Sequence, residues 1–249
     1  MPDNIKAVVL AAGKGTRLQT ENNELPKVMR TVREKPLLWY VLEGISFIDK
    51  NDTIIVVGYM KEAVTEYFGG YAFAEQVEQL GTGHAVKAAK DQLVNFDGAV
   101  LVCCGDMPAI KRETYESFVR AHFDQMNACT ILTGESSIQL SYGRIVRDDD
   151  GGFKEIVEDR DCTEEQRQIT ELNSGVYIFD CQKMLLALES LGNNNNQKEY
   201  YLTDVPAIMK DSGEQVGLYK RDLGDEIVGV NTMEQLLQVE EIIANREVG

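Results

Sequence analysis

Five short runs rich in β-branched and other apolar residues recur along the chain, at Lys6–Ala12, Thr53–Gly58, Ala99–Cys103, Cys129–Thr133 and Gly175–Phe179. Amphipathic stretches of helical length separate the early ones, at Leu37–Ile48, Lys61–Phe68, Thr82–Leu93 and Arg112–Phe123. Strands that alternate with helices are joined by crossovers, and a crossover returns the next strand parallel to the last. The pattern therefore predicts βαβ units and an α/β fold with a mostly parallel sheet. After about residue 140 the rhythm changes. Tyr142–Val146 and Phe153–Val157, separated by Asp148-Asp149-Asp150-Gly151-Gly152, read as a β-hairpin. Thr163-Glu164-Glu165-Gln166 and Thr232-Met233-Glu234-Gln235 each fit a capping box and place helix starts there. Asn193–Asn196 reads as a loop, and no internal repeat or long linker interrupts the 249 residues.

Charge and cysteine usage narrow the function classes. The net charge of −16 argues against nucleic acid as a partner, because duplex binding is led by Lys and Arg on phosphate. Yet residues 1–36 hold seven basic against four acidic side chains, a local balance of +3 in a chain whose remainder carries −19. One local site for a small polyanion fits that distribution. The longest apolar runs are too short to span a bilayer, so no membrane partner is expected. Ala7–Ala12 runs straight into Gly13-Lys14-Gly15 and reads as a buried strand entering a loop, not as a cleaved leader. Five cysteines without a C-x-x-C pair suit a reducing cytoplasm, and two histidines make a histidine-rich zinc site unexpected.

The loop after the first strand, Ala11-Ala12-Gly13-Lys14-Gly15-Thr16-Arg17, would let backbone amides approach an anion while Lys14 and Arg17 add charge. Its spacing is neither that of a dinucleotide fingerprint, because Leu18 stands at the third glycine position, nor that of a Walker A loop. A tight strand-to-helix turn carrying solvated bases is the plain alternative.

Further blocks follow in order: Pro26-Lys27-Val28, Glu78-Gln79-Leu80-Gly81-Thr82-Gly83-His84-Ala85, Gly105-Asp106-Met107-Pro108, Tyr142-Gly143-Arg144-Ile145, Ile156-Val157-Glu158, Glu171-Leu172-Asn173-Ser174-Gly175, Glu199-Tyr200-Tyr201-Leu202-Thr203-Asp204 and Gly229-Val230-Asn231. Together with the glycine loop they resemble the uridylyltransferase half of the bifunctional bacterial enzymes that make UDP-N-acetylglucosamine. The likeness runs from about residue 6 to 245. It implies a Rossmann-like three-layer nucleotide-diphospho-sugar transferase fold, with a mixed, mostly parallel sheet and a hairpin-rich sugar-binding part. A single domain is expected, with a nucleotide-binding half over residues 1–135, a sugar-binding half over 136–230 and a C-terminal helix over 231–249. Departures are Cys104 where the family usually has tyrosine, Ser174 where it has threonine, and a longer loop from Leu18 to Leu25. The family's hexapeptide repeats do not follow; the last helix, Met233–Arg246, resembles its connecting arm. A free-standing enzyme or a piece of a longer one both fit, as a monomer or weak homo-oligomer, without acetyl transfer by this segment.

The same resemblance implies the roles. UTP and a sugar 1-phosphate are the expected substrates and Mg²⁺ the cofactor, held by Asp106 and Asn231. Arg17 and Lys27 are the expected catalytic residues, positive charges that hold and neutralise the phosphates. Leu10, Ala11, Ala12, Gly13, Gln76, Gly81, Thr82, Cys104 and Gly105 are expected around the nucleotide, and Gly143, Glu158 and Asn173 around an N-acetylhexosamine. The bland readings are surface bases for Arg17 and Lys27, turn formation for Asp106, a helix start for Thr82 and helix capping for Asn231. His84 is expected to pack or hydrogen-bond behind the base loop. A glucose 1-phosphate uridylyl- or thymidylyltransferase is the alternative on this fold. A non-catalytic nucleotide-sugar sensor would have no need of Arg17, Lys27, Asp106 and Asn231 together, and all four are present.

Overall fold

The computed structural model describes residues 4–18, 25–135 and 140–248, so most of the expected long loop between Leu18 and Leu25 lies outside the described residues. The strands are β1 (Ile5–Leu10), β2 (Thr31–Val32), β3 (Lys35–Pro36), β4 (Thr53–Val57), β5 (Ala72–Glu75), β6 (Ala99–Cys104), β7 (Cys129–Glu135), β8 (Arg144–Arg147), β9 (Phe153–Val157), β10 (Glu171–Asp180) and β11 (Val216–Arg221). The helices are α1 (Leu37–Gly44), α2 (Lys61–Tyr67), α3 (Thr82–Ala88), α4 (Lys90–Leu93), α5 (Arg112–Gln125), α6 (Cys181–Glu189), α7 (Val205–Asp211) and α8 (Met233–Val248).

Among the described residues, nine strands form one sheet whose main path runs β11-β7-β10-β6-β1-β4-β5. The pairs β1–β4, β1–β6, β4–β5 and β7–β11 are parallel; β10 alone on this path is antiparallel to both neighbours. The hairpin β8–β9 leans on β10 through Leu172 and Arg144. The mixed, mostly parallel sheet is thus the expected one.

Alternation along each central strand divides the core into two faces. Ala7, Val9, Ile55, Val57, Leu101 and Cys103 pack with Leu38, Val41 and Leu42 of α1 and Tyr115, Phe118 and Val119 of α5. Val8, Ile54, Val56, Val100 and Val102 face the other way, onto Ala85 and Val86 of α3, Met184 and Leu185 of α6 and Val205 of α7. A strand buried on both faces reads as an unbroken apolar run, which is why β1, β4 and β6 stood out in the sequence. A third cluster joins Leu18, Val32 and Leu37 to Val230, Val239 and Ile243, fastening α8 to the N-terminal segment. All five cysteines are free thiols, and no helix among the described residues is long and apolar enough to cross a membrane.

Three local expectations are corrected. The stretch Thr82–Leu93 is two helices, because Ala89 leaves the α conformation (φ −85°, ψ 0°) and its amide bonds to Val86. The Thr163 capping box forms both reciprocal bonds with Gln166, but only the 3₁₀ turn Gln166–Gln168 follows before the chain enters β10. Helix α1 stops at Gly44 instead of reaching Ile48.

His122 on α5 is buried, its Nδ1 2.8 Å from Thr130 Oγ1, and burial lowers its pKa from 6.5 to about 4. The unfolded chain takes up this proton below pH 6.5 while the folded chain resists it until about pH 4, so stability must fall as pH falls through that window. Between pH 7 and pH 5 the loss from this group amounts to about 2 kcal/mol. His122→Gln should lose that much less than wild type on the same acidification, measured by urea unfolding at both pH values; equal losses would contradict the assignment.

Candidate functional site

Strands β1 and β6 are parallel neighbours with Leu10 opposite Cys104, so their carboxyl ends open side by side. That is where open α/β sheets receive ligands. The Gly13-Lys14-Gly15 loop leaves β1, and Gly105-Asp106 leaves β6. The Asp106 carbonyl accepts from the Val230 amide at 2.9 Å, which brings Asn231 beside the same strand end. Lys27 arrives from a 3₁₀ turn, Lys27–Met29, that passes against the glycine loop.

These pieces converge on one point. The Lys27 ammonium pairs with Asp106 and donates to Asn231 Oδ1 at 2.7 Å, while Arg17 Nη2 lies 3.4 Å from the same oxygen. Lys27 and Asp106 are only 14% and 22% exposed, so neither is an ordinary surface charge. Asn231 does not cap α8 with its side chain. Thr232 does, accepting from the Gln235 amide at 3.3 Å, while Gln235 Oε1 takes the Asn231 and Thr232 amides at 2.8 and 3.1 Å. The Asn231 oxygen is thereby left to the basic pair.

Gly15 is needed for this approach. Its φ is +64°, and a Cβ there would stand 2.6 Å from Lys27 Cβ. Nothing but the second glycine of the Gly-Lys-Gly run could have indicated it beforehand.

Two cavities flank the convergence. One, of about 300 Å³, is lined by Leu10, Ala12, Gly13, Lys27, Gln76, Gln79, Gly81, Thr82, Cys104, Asp106 and Glu199. The other, of about 170 Å³, is lined by Cys104, Asp106, Tyr142, Gly143, Glu158, Asn173, Ser174, Gly175 and Asn231. Cys104 and Asp106 belong to both, so the cavities meet at the carboxylate. Two expected nucleotide contacts are absent from both walls. Ala11 is buried and gives its amide to the Val56 carbonyl at 2.8 Å; Gly105 is buried and gives its amide to the Leu10 carbonyl at 2.9 Å. Both extend the sheet instead of facing the cavity.

The wall of the larger cavity is braced from behind. Gln76 is 4% exposed; its Nε2 donates to the Gly81 carbonyl at 2.9 Å and lies 3.2 Å from His84 Nδ1. What its side chain can offer a base is therefore the acceptor Oε1. Gln79 and Glu199 stand in the quoted blocks without an expected role in the site; Gln79 Nε2 donates to the Ala12 carbonyl at 3.0 Å. Gly81 has φ +116°, and a Cβ there would meet the Tyr200 carbonyl oxygen at 2.6 Å. Gly81→Ala should accordingly distort the loop and raise KM for the nucleotide about tenfold or more, with a smaller change in KM for the second substrate. Unchanged nucleotide KM would remove this loop from the site.

In the smaller cavity, Asn173 Nδ2 donates to the Tyr177 hydroxyl at 2.7 Å and its Oδ1 accepts from the Gly175 amide at 3.1 Å. Each group keeps a second hydrogen or lone pair for a ligand. Burial raises the Glu158 carboxyl above its ordinary pKa; a hydrogen bond from Thr203 opposes this, and Asp204, Asp161 and Asp159 add to it. The Tyr142 hydroxyl donates to the Ile227 carbonyl at 3.0 Å and accepts from the Gly229 amide at 2.7 Å, tying this wall to the segment that carries Asn231. Burial pushes the Cys104 thiol up, so it stays neutral between the cavities.

Among the described residues no three His, Cys, Asp or Glu side chains cluster as a metal cage. Asp106 and Asn231 nevertheless present two hard oxygens that already converge on a cation, the Lys27 ammonium. A divalent ion that keeps water and takes phosphate oxygens needs no more from the protein, and this donor set suits Mg²⁺.

A glycine loop, two bases and a carboxylate at adjacent strand ends, opening into two joined cavities, make a fold and site able to receive a phosphate chain and a second polar substrate. Residues 6–238 match the nucleotidyl transferase family, and the chain belongs to it. The bifunctional protein GlmU of Listeria innocua serovar 6a is 42% identical over 241 residues, covering 96% of this chain and 52% of that protein. GlmU of Lactococcus lactis subsp. lactis is 43% identical over 235 residues, covering 94% and 51%. The chain thus spans about half the length of these curated relatives. A solved UDP-glucose pyrophosphorylase complexed with UDP-glucose shares the fold, with a TM-score of 0.74 over 97% of this chain and 98% of that one at 17% identity.

Proposed function

We propose that this chain is a uridylyltransferase that joins UTP to N-acetylglucosamine 1-phosphate, giving UDP-N-acetylglucosamine and pyrophosphate. The observation that carries this reading is the meeting of two cavities at Asp106, beside Lys27 and Asn231. A phosphate oxygen of the sugar phosphate attacks the α-phosphorus of UTP. The bond from that phosphorus to the bridging oxygen breaks, and pyrophosphate departs with the electron pair. The nucleophile is already an anion, so the task is to bring two polyanions together and neutralise charge as it shifts. Bound to Asp106 and Asn231, Mg²⁺ would supply part of that neutralisation. Lys27 serves as a point charge near the α-phosphate, and Arg17 as a planar fork for the outgoing phosphates. Gln76, Gly81 and Thr82 face the uracil; Gly143, Glu158 and Asn173 face the sugar.

Glu158 and Asn173 in the smaller cavity favour a sugar with hydroxyl and amide partners for them. Leaving a buried polar group unpaired costs about 1–3 kcal/mol, so N-acetylglucosamine 1-phosphate should exceed glucose 1-phosphate in kcat/KM by about tenfold to a few hundredfold. The small Cys104 side chain on the shared wall supports a second reading, a wider pocket that turns over glucose 1-phosphate. Steady-state kinetics with UTP and each sugar phosphate decides between them; equal or reversed preference would move the chain to the second reading and leave the phosphate roles intact.

A further inference from the structure

We infer that Thr203 is a positioning residue for the sugar half of the site, and that the segment from Glu199 to Thr203 mechanically joins that half to the base loop. The inference rests on the uridylyltransferase reading.

Thr203 is 5% exposed and belongs to neither cavity wall. Its hydroxyl donates to Glu158 Oε1 at 3.0 Å. A carboxylate tethered through one oxygen keeps a fixed plane and leaves the other oxygen to accept from a sugar hydroxyl. The tether matters because the surroundings of Glu158 oppose its charge. Asp204 follows Thr203 directly, Asp159 and Asp161 follow β9, and the neutral Tyr177 and Cys104 face it from the sheet, with Tyr201 and Cys162 nearby.

The same five residues grip the base loop. The Tyr200 amide donates to the Leu80 carbonyl and the Gly83 amide to the Tyr200 carbonyl, both at 2.8 Å. The Leu202 amide donates to Thr82 Oγ1 at 3.0 Å, and Glu199 itself lines the nucleotide cavity. With no room for even a Cβ between Gly81 and Tyr200, the loop cannot shift without carrying the segment along. Nor can the segment relax independently at its start. Asn195 clamps Glu199 by two bonds, at 2.6 and 3.1 Å, and Gln197 holds the Tyr201 hydroxyl at 2.7 Å. A nucleotide that settles the loop from Leu80 to Gly83 therefore also sets the orientation of Glu158, through the segment and the Thr203 hydrogen bond. Binding of UTP should prepare the sugar site.

The test compares wild type, Thr203→Val, Thr203→Ala and Thr203→Ser. With UTP and N-acetylglucosamine 1-phosphate, Val and Ala should raise KM for the sugar phosphate about tenfold and leave KM for UTP within about twofold, with Ser near wild type. Ionised Glu158 is the binding form, so sugar-phosphate kcat/KM falls as pH falls through its pKa. Removing the Thr203 bond raises that pKa further, and the acid limb of the profile should move to higher pH in Val and Ala only. In calorimetry with a UTP analogue carrying a non-cleavable α,β-bridge, the analogue should tighten sugar-phosphate binding at least about fivefold in wild type and less in Val and Ala. Wild-type kinetics and coupling in Val and Ala would overturn the inference, as would KM values for both substrates rising together with no shift of the acid limb. Absence of turnover by wild type would overturn the reading beneath it, and the inference with it.

Discussion

Lys27→Ala is expected to lower kcat for UDP-N-acetylglucosamine formation by about 10²–10³-fold, the cost of losing one preorganised charge at a developing anion. Its ammonium bridges Asp106 and Asn231 at the junction of the cavities, and Gly15 lets its stem pass within contact of the glycine loop. The loss should fall mainly on kcat, with KM for UTP changing less, because the charge shift occurs as pyrophosphate leaves. Lys27→Arg should not recover full activity, since a planar fork cannot replace a compact charge in a slot this narrow. Steady-state pyrophosphate release measures both variants. Activity of Lys27→Ala within about threefold of wild type would remove Lys27 from the chemistry.

The second large effect concerns Asp106. Asp106→Ala should reduce turnover at ordinary Mg²⁺ by about 10²–10³-fold, and raised Mg²⁺ should recover part of it, because Asn231 and the substrate phosphates still offer oxygens. Chelation of divalent ions should abolish wild-type turnover. Full activity of Asp106→Ala, or turnover that resists EDTA, would sink the metal assignment.

The central strands were legible because burial on both faces leaves residues 7–10 of β1, 54–57 of β4 and 99–104 of β6 as apolar runs. The edges were not. Strand β5 has four residues, and β11 is half exposed and ends in Lys220 and Arg221, so neither shows the apolar density of a buried strand. Helix α6 does carry a local signal, an Asp180 cap whose carboxylate accepts from the Lys183 amide at 3.0 Å, followed by Met184, Leu185 and Leu188 on one side. In the site, the family resemblance of the motif blocks pointed to Lys27, Asp106 and Asn231. It could not show that residues 204 positions apart share a hydrogen bond. Nor could it show where each amide goes: Ala11 and Gly105 sit within recognisable motifs, yet their N–H groups close the sheet. Gln79, Tyr142 and Thr203 also stand inside the motif blocks, but their bracing roles were hidden for the same reason. Each acts through a long-range bond to a backbone or side chain that local pattern does not reveal.

On the proposed function, two substrates react where the cavities meet at Asp106. Pyrophosphate release by the purified chain, with UTP, N-acetylglucosamine 1-phosphate and Mg²⁺ each omitted in turn, tests it most directly. The expected result is release only when all three are present, with one UDP-N-acetylglucosamine formed per pyrophosphate. Release from UTP without the sugar phosphate, or none with the full mixture, would rule that reaction out.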